Sequence, residues 1–393
     1  MTAVSLATPD ATPTATPAAT PGTFVAAPDA KRPRSIVEHL TPNWYASIMG
    51  TGIVANASAT LPVHIAGLHV LATAVWLLAS VALVALSVAF VIHWVRHTDT
   101  AREYARHPVM ALFYGAVPMA VLTVGAGTLL LGEDLIGESL AVWISASLWT
   151  VGTVMGAVTC CWIPYRMMKA SKASQLQPLP AWLMPVVPPM VSASTGAMLL
   201  PYVPEGVLRE GFLLACYGLF VITLVLGSAA MTMIYARLFR GYGPPLQSVP
   251  TVWIALGLVG QSITAANLLG ADASIVFTGD QATIARGLHA FGVGYGLVVA
   301  VVGAVVFAVA VAATTRAARN GLTFSLTWWS FTFPIGTCVT GATALWTSLG
   351  ATPAGGAAHV MAIALYGLLL TAWVVVATRT VLGSLNGRLF AAV

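Results

Sequence analysis

The chain has 393 residues, of which 58% are hydrophobic and 7% charged, with a net charge of +5 and a mean hydropathy of +0.87. Ordinary soluble domains carry about 25% charged residues, so the composition excludes a soluble fold and predicts an integral membrane protein. Its apolar runs are continuous rather than alternating, which excludes a transmembrane β-barrel and leaves an all-α fold.

Residues 1–35 come first in the chain. The stretch "ATPDATPTATPAATPGTF" is Ala/Thr/Pro low complexity, with neither a basic n-region nor a long apolar core. It predicts a disordered cytoplasmic tail, not a cleaved signal peptide. From 36 to 393 a single transmembrane domain is expected. A spanning helix needs about 20 apolar residues, and ten such runs follow: 42–61, 67–93, 108–131, 139–163, 181–202, 207–236, 249–270, 286–313, 324–348 and 357–382.

Lys and Arg bias in short loops sets orientation. With the N-terminus inside, the inner segments hold Lys31, Arg32, Arg34, Arg96, Arg102, Arg106, Arg166, Lys169, Lys172, Arg237, Arg240, Arg316, Arg319, Arg379 and Arg388. Only Arg209 and Arg286 fall outside, among Glu133, Asp134, Glu138, Glu205, Glu210, Asp272 and Asp280. Ten spans with both termini cytoplasmic, in the cell membrane, is the expected topology. The positive net charge then belongs to loops beside a lipid surface, and no nucleic-acid partner is expected.

The centres of the runs contain no Asp, Glu, Lys or Arg. Intramembrane ionisable groups mark proton relays and tightly held ions, so their absence argues against a pump. It also leaves no acid–base pair or nucleophile–base set for an enzyme. His39 precedes the first run, and His64, His69, His93, His97, His107, His289 and His359 lie near span ends or in loops. The four cysteines are Cys160, Cys161, Cys216 and Cys338. The adjacent pair Cys160 and Cys161 points about 100° apart on a helix and makes no ligand pair. Neither a metal site nor a cofactor is expected.

Uncharged polar residues do occupy the spans. Positions three and four apart share a helix face, and in the ninth run this step links Ser330, Phe333, Thr337, Thr340, Ala344 and Thr347. The first run offers Ser47, Thr51 and Ser58, the third Thr123, the fifth Ser192 and Thr195, and the seventh Gln261 and Thr264. Singly, such residues often serve as helix–helix glue; repeated from run to run, they predict a pore lining. Prolines follow the same rhythm. Pro118, Pro185, Pro188, Pro189, Pro250 and Pro334 all fall in odd-numbered runs. Irregular backbone at membrane depth is tolerated against protein or a watery cavity. The expected architecture is five helical hairpins around a central pore, with odd helices as the inner ring and even helices as the outer one.

Hydroxyl and amide donors without fixed charge suit an anion held weakly enough to leave again. Arg286 and His289, near the outer face, would form a cationic vestibule at the mouth. At Pro334 the helix is expected to bend, turning Phe333 into the path between Ser330 and Thr337. Packing between helices is the alternative role for that ring.

Four ordered motifs, "TPNWYASIMGTGIV" (41–54), "HPVMALFYGAVPM" (107–119), "WLMPVVPPMVSASTGAMLLP" (182–201) and "TWWSFTFPIGTCVTG" (327–341), resemble the tellurite-resistance/dicarboxylate transporter family. That family includes slow anion channels, malate permeases and sulfite efflux pumps. The first motif is more similar to the sulfite and malate branch than to the tellurite branch. The resemblance implies a homotrimer with one pore per subunit. It also implies a pore-occluding phenylalanine in the ninth span, which falls on Phe333 beside Pro334. Among the cargoes it allows, a C4-dicarboxylate would want Arg or Lys in mid-pore. None is present, so efflux of sulfite or a similar small inorganic anion is expected. Two alternatives stand beside it: a proton-coupled malate or succinate transporter using His289 or His107, and a membrane enzyme working through Cys160 and Cys161.

Overall fold

A computed structural model describes residues 36–170 and 177–390; the expected tail, residues 1–35, lies outside the described residues. Among the described residues there is no β-strand. The α-helices are α1 (Tyr45–Thr60), α2 (Leu68–Arg96), α3 (Thr98–Arg106), α4 (Ala116–Leu131), α5 (Glu133–Ile136), α6 (Glu138–Ala170), α7 (Pro188–Leu199), α8 (Val207–Phe239), α9 (Ile254–Val276), α10 (Ala282–Arg319), α11 (Phe333–Leu349) and α12 (Pro353–Leu385). With no water to satisfy peptide groups in hydrocarbon, uninterrupted helices are what such apolar runs form. Seven helical stretches are long and apolar enough to cross a membrane, and these contain α2, α4, α6, α8, α9, α10 and α12. The helices of the first, fifth and ninth runs, α1, α7 and α11, have 16, 12 and 17 residues and fall short of that length.

Burial sorts the long helices into two kinds. In α1, α4, α7, α9 and α11 most positions are enclosed on every side. The others bury one stripe only. In α8 it is Leu213, Cys216, Phe220, Thr223, Gly227, Ala230 and Ile234, spaced by three and four, the step of a single helix face. In α2 it is Ala72, Val75, Trp76, Ala79 and Leu83. The opposite faces carry exposed apolar side chains such as Val81, Val84, Val221, Val225, Val298 and Val301, which water would not tolerate in such numbers but lipid does.

Packing partners place the enclosed helices side by side. α1 packs on α4, α4 on α7, α7 on α9, α9 on α11, and α11 back on α1. Each of α2, α6, α8, α10 and α12 lies against the enclosed helix before it in the chain. Where α9 meets α11 the backbones nearly touch: a Cβ on Gly260 would fall 2.6 Å from the Thr337 carbonyl oxygen. Only glycine permits that approach.

The prolines work differently from the expected kinks. The α4, α7, α9 and α11 helices are each preceded by 3-10 turns, at Met110–Gly115, Pro180–Leu183, Leu246–Trp253 and Leu326–Phe331. Pro188 and Pro189 then open α7, and Pro334 is the second residue of α11. Proline lacks only an N–H that the first helical turn leaves unbonded anyway. Pro334 therefore starts a helix rather than bending one. The outer helices were expected to carry no proline in their interiors, but α6 extends past the expected end of its run and holds Pro164.

Candidate functional site

Two spaces lie along the interior of the enclosed helices. The larger, about 310 Å³, is walled by Ile53, Asn56 and Thr60 of α1, Ala126 and Leu130 of α4, and Ser194, Thr195 and Met198 of α7. From α9 come Gln261, Thr264 and Asn267, and from α11 Thr340, Thr343, Thr347 and Ser348. The smaller is nearly closed, about 20 Å³, and almost wholly apolar. Met49, Phe113, Met119, Met184, Val187, Ile254 and Phe333 line it, together with Ser330 and Pro334.

The two spaces share one register. Met49 lines the constriction and Asn56 the cavity; the same holds for Met119 and Ala126, Val187 and Ser194, Ile254 and Gln261, and Phe333 and Thr340. In every pair the residues are seven apart, two helical turns or roughly 10 Å. All five helices thus run in the same direction, from an apolar ring toward a polar chamber. Phe333 is 3% exposed.

Of the residues expected to line a pore, Thr195, Gln261, Thr264 and Thr340 meet in the chamber, and Ser330, Phe333 and Pro334 at the constriction. Thr264 and Thr340 lie 2.9 Å apart. The others lie outside both spaces. Ser47 donates to the Trp44 carbonyl at 2.7 Å. Thr51 accepts the indole N–H of Trp373 on α12 at 3.2 Å. Thr123 bonds the Met119 carbonyl and faces Gly52. The Ser192 carbonyl accepts from Trp149 of α6, and its hydroxyl donates to Pro188. Thr337 is fully buried against α9, donating to the Pro334 carbonyl at 2.7 Å and pointing toward that of Leu256. It does not share the face of Phe333, because four residues along an α-helix overshoot a full turn by about 40° and carry Thr337 to the α9 side. The seven-residue step to Thr340 returns to within about 20°.

Arg286 is exposed on α10 and donates to Thr283 at 3.0 Å; His289, half-buried, packs beside Gly270 of α9. Neither lines the chamber. Cys160 is buried and Cys161 exposed, on different faces of α6. Residues overlooked by the hydroxyl pattern are Asn56, Ser194, Asn267 and Thr343, whereas Thr347, the last member of the ninth-run stripe, does line the chamber. A signal for two of them was available: Asn56 and Asn267 are amides within apolar runs, where an unneeded polar group is costly.

Helices enclosed on all sides around aligned internal spaces, wrapped by helices with apolar outer faces, define a multi-pass membrane protein of the channel and transporter class. The chain belongs to the voltage-dependent anion channel family, whose profile matches residues 39–381. It is 24% identical over 305 residues to an uncharacterized transporter of Methanocaldococcus jannaschii, covering 77% of this chain and 83% of the relative. It is likewise 24% identical over 312 residues to a sulfite efflux pump of Trichophyton rubrum, covering 78% and 82%. A sulfite efflux pump of Candida albicans is 25% identical over 248 residues, or 60% of this chain and 48% of the relative. The protein is an anion transporter or channel of that family.

Proposed function

We propose that the protein carries a small inorganic anion, sulfite first, out of the cell through a pore closed at rest by Phe333. The observation that carries this reading is the shared register, an uncharged polar chamber sealed two helical turns away by an apolar ring. A narrow apolar constriction gates by excluding water, and movement of one ring would open it. In this reading the ten helices cross the cell membrane as five hairpins with both termini inside, and three copies assemble with one pathway each. The inside-negative potential drives an anion outward by about 2.3 kcal/mol per charge per 100 mV, so efflux needs no coupling residue. Sulfite as cargo is supported by the sulfite efflux pumps among the relatives and by a chamber wall that offers no Arg or Lys to a dicarboxylate. The purified protein in liposomes, assayed for sulfite, chloride, nitrate and malate with and without a pH gradient, tests it. Sulfite flux without proton flux is expected; proton-coupled malate flux in its place would overturn it.

Two smaller effects follow from this reading. Arg286, with His289 one turn away, is a cation on an otherwise acidic outer surface, where Arg209 lies against Glu205, and should concentrate anions near the mouth. Arg286→Gln is expected to lower flux about twofold at low ionic strength and hardly at all in high salt, where surface fields are screened within a few ångströms. An equal loss at all salt concentrations would rule out focusing. Deleting residues 1–30, too poor in apolar mass to dock, is expected to leave insertion and flux intact; a well-inserted but silent truncation would show that the tail gates.

A further inference from the structure

A groove of about 540 Å³ opens between the C-terminal ends of α2 and α6, beside α3. Much of its wall is apolar, from Val109, Val158, Ile163, Met167 and Leu179, and four aromatic rings complete it, Trp94, Tyr114, Trp162 and Trp182. Val158 and Trp162 are more than half exposed, on a helix whose outer face meets lipid, so the groove opens sideways to the bilayer. Trp and Tyr gather where a membrane meets water, and the four rings put the groove at that level. Two cations line the same wall, Arg106 of α3 and Arg166 of α6. Arg106 is exposed and also borders an adjoining hollow of about 500 Å³, together with Arg102. Arg166 is half-buried and donates to the Ala105 carbonyl at 3.2 Å, which ties α6 to α3. None of these three guanidinium groups is in an ion pair among the described residues. Asp99 and Glu103 border the hollow, but no described residue of the groove is acidic. Snorkelling explains a lone arginine at a helix end; it does not explain two, from different helices, lining one recessed apolar wall.

Resting on the proposed topology, which puts this end at the cytoplasmic leaflet, we propose that the groove holds one anionic phospholipid. Its phosphate lies against Arg106 and Arg166, and one acyl chain runs along Val158, Trp162 and Trp94. Guanidinium groups suit phosphate through paired, parallel hydrogen bonds, and basic pockets between membrane helices on the cytoplasmic side take acidic head groups. A soluble phosphate would leave the apolar wall unfilled. A zwitterionic lipid would bring its own cation beside both arginines. The groove also backs onto the constriction. Tyr114 is next in the chain to Phe113, and Trp182 stands two residues before Met184; Tyr114 and Trp182 line the groove, Phe113 and Met184 the constriction. The same two turns therefore wall both spaces, and the lipid supports them from outside.

The full chain, purified in detergent and stripped of lipid, is titrated with phosphatidylglycerol or phosphatidylcholine of identical chains, and bound lipid is read by native mass spectrometry. Phosphatidylglycerol should be held about tenfold more tightly, as two arginines near a head group allow, and inorganic phosphate should not displace it. Arg106→Gln should cut that preference about fivefold. Arg319→Gln, at the exposed C-terminal end of α10, should leave it unchanged. Thr159→Trp, which fills the groove, should weaken both lipids alike. Equal retention of the two lipids by the unmodified chain would overturn the site, as would an equal loss from Arg319→Gln, the mark of diffuse surface charge. Displacement by inorganic phosphate would assign the arginines to a soluble anion instead. An assembled protein that takes up neither lipid would mean that a neighbouring copy fills the groove, and would also overturn the proposal. Lipid binding is read without flux and on the unmodified chain first. Its failure therefore leaves the anion-transport reading standing, and poor folding of a variant cannot spare the proposal.

Discussion

Phe333→Ala is expected to raise anion flux by about tenfold at matched surface density, equivalent to lowering the barrier by about 1.4 kcal/mol. The ring is buried in the apolar constriction with Met49, Met119, Met184 and Ile254, and in the proposed pathway removing it would open space between the two ends of the enclosed helices. If the ring were instead a packing element, its loss would leave a cavity costing roughly 3–5 kcal/mol, with less folded protein and no added conductance. The two roles predict opposite signs of flux. Phe331 serves as the comparison: its ring meets those of Trp253 and Trp328 edge-on at 5.5 and 5.6 Å, on the side away from the constriction. Phe331→Ala should cost stability without opening anything. Anion currents of both variants, normalised to protein at the surface, decide the matter; unchanged or reduced current in Phe333→Ala would remove the gate.

Gly260→Ala is expected to have the largest effect on folding. Its added methyl would meet the backbone of Thr337 and Cys338, which cannot turn aside as a side chain can. Overpacking of this kind costs about 1–3 kcal/mol, or more when backbone must shift. It would also part α9 from α11, the helices that present Gln261, Thr264 and Thr340 to the chamber. Gly218, exposed on α8 with nothing within 4 Å of its would-be Cβ, is the counterpart. Gly218→Ala should be neutral or gain up to about 1 kcal/mol in helix propensity. Thermal unfolding of the two variants in detergent checks both, and similar midpoints would mean that α9 and α11 are free to separate.

The sequence was most informative where lipid makes demands. Runs of apolar residues without charge left no alternative to helices, and each expected run holds one. The distinction between enclosed and half-exposed helices was legible through proline placement, although the physical reason differs: Pro188 and Pro334 mark where helices begin. Rotation of the enclosed helices was not legible. When hydroxyls fall on more than one side of a helix, as Thr51, Ser58 and Thr60 do on α1, they announce no single orientation. Thr51 and Thr123 were therefore indistinguishable in sequence from Thr264 and Thr340, and only packing shows the former turned to Trp373 and Gly52 and the latter to the chamber. The stripe drawn through Ser330, Phe333 and Thr337 failed at its last member, because a step of four residues overshoots a full helical turn by about 40°, enough in a tightly packed helix to turn Thr337 onto α9.

The common direction of the five enclosed helices has an electrical consequence. Each α-helix carries about half a positive elementary charge at its N-terminus and half a negative one at its C-terminus. Because every inner helix places its lower-numbered residue at the constriction and its higher-numbered one at the chamber, their end charges act together on the axis, and the opposed dipoles of the outer helices lie farther from it. An ion following the proposed pathway would move through a built-in gradient, positive beside Phe333 and negative beyond Thr347, between walls whose described residues bear no ionised side chain. Dissolved salt cannot enter the closed constriction to screen this gradient as it screens surface charge. The passage is polarised by its backbone alone, and its conductance should rectify even in symmetrical solutions.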